Sequence, residues 1–152
     1  MEGLIVLVWT LAFHTLRWTM HWVIFLAMVD LSETYRSIPI HPYCFTLTGL
    51  QWTFTGDLEL TLLFDAWLPF GSSLSCKVFQ SVSDAVARIF KGRGYFAISY
   101  IDDFLIVANM ESLCKQDLDC LTSLIQDLGL VVTWDKVSQP ATVMTFFRSF
   151  CR

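Results

Sequence analysis

The sequence predicts an α+β fold of the split βαβ, or ferredoxin-like, type: strand, helix, two hairpin-linked strands, helix, strand. Three observations predict it. Two segments carry apolar residues at helical spacing, apolar runs too short for helices flank them, and the middle pair of runs is joined through Ile101-Asp102-Asp103 like a hairpin.

The first strand is expected over 24–30, an apolar run that ends on the carboxylate of Asp30. Ser32, Glu33, Thr34 and Tyr35 follow as a turn or short helix. Residues 51–64 read as a strand pair with Gly56-Asp57 in or near its turn. The loop Pro69-Phe70-Gly71-Ser72-Ser73 leads into a helix over 75–91, where Val78, Val82, Ala85 and Ile89, joined by Phe79, Val86 and Phe90, are expected to make one buried face. Gly92 and Gly94 stop it, and 95–100 and 104–108 form the hairpin. A second helix is expected over 112–128, with Cys114, Leu118, Leu121, Ile125 and Leu128 inward and Gly129 as its stop. Strands over 131–134 and 143–147 complete the order.

The chain has 152 residues, enough for one core but too few for a large multidomain enzyme. It is 55% hydrophobic and 16% charged, with 13 Phe and 6 Trp, which makes it more apolar than an ordinary soluble domain. A net charge of -4 argues against strong autonomous binding to phosphate backbones, which need a basic face. Cys44, Cys76, Cys114, Cys120 and Cys151 include no C-x-x-C pair and are odd in number, so neither a zinc site nor a disulfide framework is expected. That usage suits a reducing compartment, cytoplasmic or nuclear. His14, His21 and His41 form no ligand-spaced cluster.

We divide the chain into an apolar segment of unclear role, 1–22, and the α+β unit, 23–152. A membrane span in the first segment is not favoured. His14, Arg17 and His21 interrupt it, and an arginine near the centre of a span costs about 2.5–3.5 kcal/mol on insertion scales. It also lacks the basic start and small-residue cleavage site of a secretory signal.

The chemistry should lie where the predicted topology brings acids together. In a β-α-β-β-α-β sheet the first strand adjoins the central hairpin, which would bring Asp30 beside Asp102 and Asp103. Neighbouring acids between apolar strands are costly unless a cation neutralises them, although Asp is also common in solvated turns. Strand alternation makes one of Asp102 and Asp103 the primary ligand and the other a weaker one.

These residues carry a family resemblance over about 25–147. Val29-Asp30-Leu31-Ser32-Glu33-Thr34-Tyr35, continuing to Ile40-His41-Pro42, resembles motif A of reverse transcriptases. Leu68-Pro69-Phe70-Gly71-Ser72-Ser73, continuing to Gln80, resembles motif B, and Tyr100-Ile101-Asp102-Asp103 is similar to the family's YxDD box. Gly129-Leu130-Val131-Val132 through Lys136 resembles motif D, and Thr145-Phe146-Phe147 the start of motif E. Phe70, Ile40-His41-Pro42 and Gly49-Leu50-Gln51-Trp52 are most like retrotransposon enzymes of the DIRS, or tyrosine-recombinase, type.

The resemblance implies a palm with part of the fingers and no thumb, and an RNA-directed DNA polymerase joining deoxynucleotides to a primer 3′-hydroxyl on an RNA or DNA template. It implies two Mg²⁺ ions, with Mn²⁺ able to substitute, held by Asp30 and Asp102 with support from Asp103 and the Leu31 carbonyl. Such ions sit about 3.5–4 Å apart. Backbone amides of Ser32, Glu33 and Thr34 would meet the triphosphate, Tyr35 would exclude a 2′-hydroxyl, and Phe70 and Gly71 would line the nucleotide pocket. Lys136 would protonate pyrophosphate as general acid.

Departures are visible as well. Cys76 stands where the family has the proline expected at the first position of the motif B helix, and Arg148 where motif E has glycine. Two other readings stay open, a small membrane-associated protein and a non-catalytic relic of a retroelement.

Overall fold

The computed structural model describes residues 23–56 and 59–144. Nine strands and helices are named here: β1 (Phe25–Ser32), β2 (Gly49–Trp52), β3 (Thr61–Phe64), α1 (Ser73–Gly92), β4 (Ala97–Tyr100), β5 (Asp103–Ala108), α2 (Glu111–Asp127), β6 (Val131–Val132) and β7 (Ser138–Ala141). The main sheet runs β4-β5-β1-β6, with β7 also paired to β1, and every pairing is antiparallel. Strands β1 and β4 are therefore parallel but split by β5, as the expected topology requires.

Alternation along β1 sets its two faces. Ala27, Val29 and Leu31 are buried in one core with Phe104, Ile106 and Ala108 of β5, Phe79, Val86 and Phe90 of α1, and Cys114, Leu118, Leu121, Leu124 and Ile125 of α2. Both helices thus cover the same face of the sheet. Asp30 lies on the other face, out of phase with those core residues.

The inward stripe of α1 departs from the expectation. It runs through Ser75, Phe79, Ser83, Val86 and Phe90, whereas Val78, Val82 and Ala85 are half-buried and Ile89 is 43% exposed. Hydropathy counts serine as an outward residue. Here the Ser75 hydroxyl donates to the Pro69 carbonyl at 2.8 Å and the Ser83 hydroxyl to that of Ile101, with the Phe79 carbonyl 3.2 Å away, so both can be buried without an unmet polar group. In α2 the expected face holds except at Leu128, which is outside the helix and exposed. Gly129 ends that helix with φ 77°, a conformation a side chain would oppose.

The chain's last strands also differ from expectation. Only Val131–Val132 of the first is extended, and a 3₁₀ turn over Trp134–Lys136 follows. The final described strand is Ser138–Ala141, a proline-containing stretch with no apolar alternation; its pairing with β1 is irregular between Leu26 and Met28. Val143, expected in that last strand, is 80% exposed, and the remaining residues of that expectation, with Thr145-Phe146-Phe147, lie outside the described residues. So does the segment 1–22. No helix among the described residues is long and apolar enough to cross a membrane.

The strand pair expected over 51–64 is the separate two-stranded sheet of β2 and β3, paired from Gly49↔Phe64 to Trp52↔Thr61, and Asp57 of its expected turn lies outside the described residues. The Pro39↔Trp67 bridge, Ile40 N–H to the Ala66 carbonyl at 2.9 Å and the Arg36–Asp65 ion pair join it to the segment after β1.

The orientation of α1 yields the first prediction. Phe79→Ala should cost about 3–5 kcal/mol, as for a fully buried aromatic, whereas Ile89→Ala on the same helix should cost less than about 1. Denaturant titration of both variants checks this; equal losses would contradict the observed face.

Candidate active site at the end of β1 and β5

The register of β1 and β5 places Asp30 directly opposite Asp103. Cross-strand partners point to the same face, so their carboxyl groups meet on the face away from the helices. Asp102 occupies the turn just before β5, where its carbonyl accepts from the Leu31 N–H at 2.9 Å. The backbone thus brings the three acids to one end of the sheet, and the direct neighbour of Asp30 across it is Asp103.

Burial pushes the Asp103 carboxyl up to about 6, with the charges of Asp102 and Asp30 adding to the shift. Asp102 is raised as well, again first by burial and then by Asp30. Lys136 opposes this. Its Nζ lies 3.1 Å from both carboxylate oxygens of Asp30, and that hydrogen bond raises the lysine in turn. The Lys136 side chain is 58% exposed and that of Asp30 only 11%, so the pair is a solvent-facing cation laid on a buried anion.

This donor set suits a hard divalent cation. It offers carboxylate oxygens in a partly desolvated place, and Asp30 already draws a cationic group. Among the described residues no three His, Cys, Asp or Glu side chains form a ready cage. Mg²⁺ does not demand one, because it keeps several waters and takes one or two carboxylates plus substrate phosphates.

The residues of the segment resembling motif A follow directly. Leu31 is buried and Ser32 closes β1 opposite Val131. Glu33 then takes φ 52°, and Thr34 returns to the right-handed region. Such alternation of hand turns successive N–H groups to one side, an anion-binding concavity. The Thr34 carbonyl accepts from the Ser37 hydroxyl at 2.7 Å, which closes the short 3₁₀ turn over Tyr35–Ser37.

The Tyr35 ring is wedged between two others, edge-on to Phe70 with centroids 5.4 Å apart and to Phe79 at 6.0 Å. Its hydroxyl is 3.1 Å from the Cys76 Sγ. Burial, and then that hydrogen bond, raise its pKa. Phe70 is otherwise 85% exposed and so stands at the surface beside Tyr35, and Gly71 after it is exposed with φ 84°. Cys76 is not the first helical residue: α1 begins at Ser73, capped by the Ser72 hydroxyl, which accepts from the Leu74 N–H at 3.3 Å. The departure at Cys76 therefore alters a contact to Tyr35 rather than a helix start.

Four residues given no role from the sequence brace this site: Gln80, Ser83, Asp84 and Ser99. The Ile101 N–H donates to Gln80 Oε1 at 2.8 Å, and the Ser83 hydroxyl donates to the Ile101 carbonyl. A signal for Ser83 existed in its position within an apolar helical stripe. Two cavities of about 610 and 270 Å³ lie elsewhere, and none of the three acids lines either.

The reverse transcriptase (RNA-dependent DNA polymerase) family matches residues 11–146. No protein of curated function matches the chain in sequence. Among solved structures, a prototype foamy virus protease-reverse transcriptase mutant is similar with TM-score 0.61 and 20% identity over 76% of this chain and 14% of that one. Foamy viral protease-reverse transcriptase in complex with dsDNA gives 0.64 and 19% over 80% and 24%, and the form in complex with an RNA/DNA hybrid 0.61 and 18% over 76% and 14%. This chain therefore spans a quarter or less of their length, and the likeness is one of fold.

The raised Asp103 yields a pH prediction for protein kept free of divalent cations. Its folded pKa lies above the unfolded value of about 3.9, so its contribution is fully present below about pH 4 and lost as pH rises through about 6. Asp103→Asn cannot ionise. Its thermal midpoint should exceed the parent's most at neutral pH, with the difference shrinking towards pH 4; a pH-independent difference would contradict the assignment.

Proposed function

We propose that this chain, which belongs to the reverse transcriptase family, carries the catalytic palm of an RNA-directed DNA polymerase. The observation that supports this most is the β1–β5 register, which sets Asp30 against Asp103 beside the turn holding Asp102. In this reading Asp30 and Asp102 hold two Mg²⁺ ions, or Mn²⁺, with Asp103 and the Leu31 carbonyl supporting. Bound there, the ions would lower the pKa of a primer 3′-hydroxyl and offset charge on the triphosphate.

The protein's own groups orient the substrate. The turn at Ser32, Glu33 and Thr34 faces its N–H groups to the triphosphate of a deoxynucleotide, and Phe70 and Gly71 border the base and sugar. Tyr35 excludes a 2′-hydroxyl because its ring cannot retreat from Phe70, Phe79 and the Cys76 thiol. Lys136 carries a proton within the site and gives it to departing pyrophosphate. Template and primer are RNA or DNA, as in the foamy viral complexes with dsDNA and with an RNA/DNA hybrid. The source we assign is a DIRS-type retrotransposon, on the residues at Phe70, Ile40-His41-Pro42 and Gly49-Leu50-Gln51-Trp52.

Two measurements test this reading. Millimolar Mn²⁺ should raise the thermal midpoint, Mg²⁺ less, by mass action on the folded state, and Asp102→Asn should abolish the response. At high protein concentration Mn²⁺ should also support addition of a single dTMP to oligo(dT) on poly(rA), with little further extension because a net charge of -4 grips duplex poorly. No divalent response and no addition together would refute the assignment.

The ring at Tyr35 gives a separate prediction. Tyr35→Ala should admit a ribonucleotide in the same single-addition assay and lower the preference for deoxynucleotide, by about 10-fold or more for loss of one steric contact. Unchanged preference would remove the gate from Tyr35.

A further inference from the structure

The backbone that presents the acids is in an unfavourable conformation and is held there by α1. Ile101 has φ 50°, a left-handed value that is an outlier for a β-branched residue. No glycine relieves it. Both of its backbone polar groups are instead taken by side chains one turn apart on α1, the N–H by Gln80 Oε1 at 2.8 Å and the carbonyl by the Ser83 hydroxyl.

Each clamping group is itself fixed. Ser83 is fully buried and its hydroxyl is also 3.2 Å from the Phe79 carbonyl. The Gln80 amide donates to Asp84 Oδ1 at 2.7 Å and lies 3.5 Å from the Ser99 carbonyl, and the Ser99 hydroxyl donates to the same Asp84 oxygen at 3.0 Å. Because an N–H can only donate, the bond from Ile101 orients the Gln80 amide with its oxygen towards the turn. The network therefore ties helix, β4 and turn together. Strain of this kind persists only where the surroundings over-determine it.

We infer that Gln80 and Ser83 are positioning residues for the acids, holding Ile101 left-handed so that Asp102 and Asp103 face Asp30. The inference rests on the reading that these acids hold the divalent cation. Without the clamp, Ile101 relaxes towards negative φ and redirects the following peptide, so Asp102 leaves its place while the distant core remains packed.

The test uses the full chain, with Mn²⁺ alone as probe. Free Mn²⁺ is measured by electron paramagnetic resonance, and exchange of the Ile101 amide by NMR. Gln80→Met, of similar length but without the acceptor, and Ser83→Ala should each weaken Mn²⁺ binding about 10-fold or more, as removal of groups that orient ligands does, and should speed exchange at Ile101. Val86→Ala, a core truncation on the same helix, should lower stability yet leave Mn²⁺ affinity unchanged. In an Ile101→Gly background, where positive φ is tolerated, Gln80→Met should weaken binding much less than it does beside isoleucine. Parental affinity in both clamp variants, or an equal loss beside glycine and isoleucine, would overturn the positioning role and leave the metal reading standing. A parent that binds no Mn²⁺ would overturn both, even if Ile101 exchange still responded.

Discussion

The antiparallel register of β1 against β5 is the constraint on which the rest of the site depends. One slip of a residue would turn Asp30 to the opposite face, bury a carboxylate beside Phe79, Phe104 and Ile106, and expel Val29 from the core. The apolar inward residues of both strands make that slip costly, so the core itself keeps the acids out of the core and beside one another. Folding thereby gathers negative charge that Lys136 only partly offsets. The raised pKa of Asp103 reflects burial first and then that repulsion, which Lys136 lessens.

Much of this arrangement was legible in the amino-acid sequence because the periodicities are strong. An apolar run ending on Asp30, two amphipathic helices and an apolar hairpin around Ile101-Asp102-Asp103 together specify the split βαβ order. What escaped was wherever polar residues serve the interior. Ser75 and Ser83 shifted the buried face of α1, and a hydropathy count has no term for a hydroxyl satisfied by a backbone carbonyl. The strand at Ser138–Ala141 escaped for the opposite reason: pairing to β1 recruits it despite Pro140 and no β pattern.

The site was less evenly legible than the fold. Residue types pointed to the acids, but no spacing rule reveals that Asp103 rather than Asp102 lies across from Asp30, since that follows from the strand register. Lys136 was expected near pyrophosphate; its ion pair with Asp30 could not be seen without knowing that the 3₁₀ turn over Trp134–Lys136 folds back beside β1. Cys76 looked like a lost helix starter, and the helix proved to begin earlier, at Ser73. Its thiol instead meets the Tyr35 hydroxyl.

In the proposed reading, helix α1 links the choice of sugar to the placement of the acids. Cys76, Phe79, Gln80 and Ser83 follow the i, i+3, i+4, i+7 spacing that places residues on one stripe. The first two touch Tyr35, and the last two hold Ile101. On that reading both are set from one face of α1, so their relative position does not depend on the exposed β2–β3 sheet, which reaches the rest through the segment 36–40 and residues 65–68. A displacement of that sheet would leave ring and acids in register. A tilt of α1, by contrast, would move both together, so in the proposed reading the packing of Phe79 against Tyr35 conditions chemistry as well as selectivity.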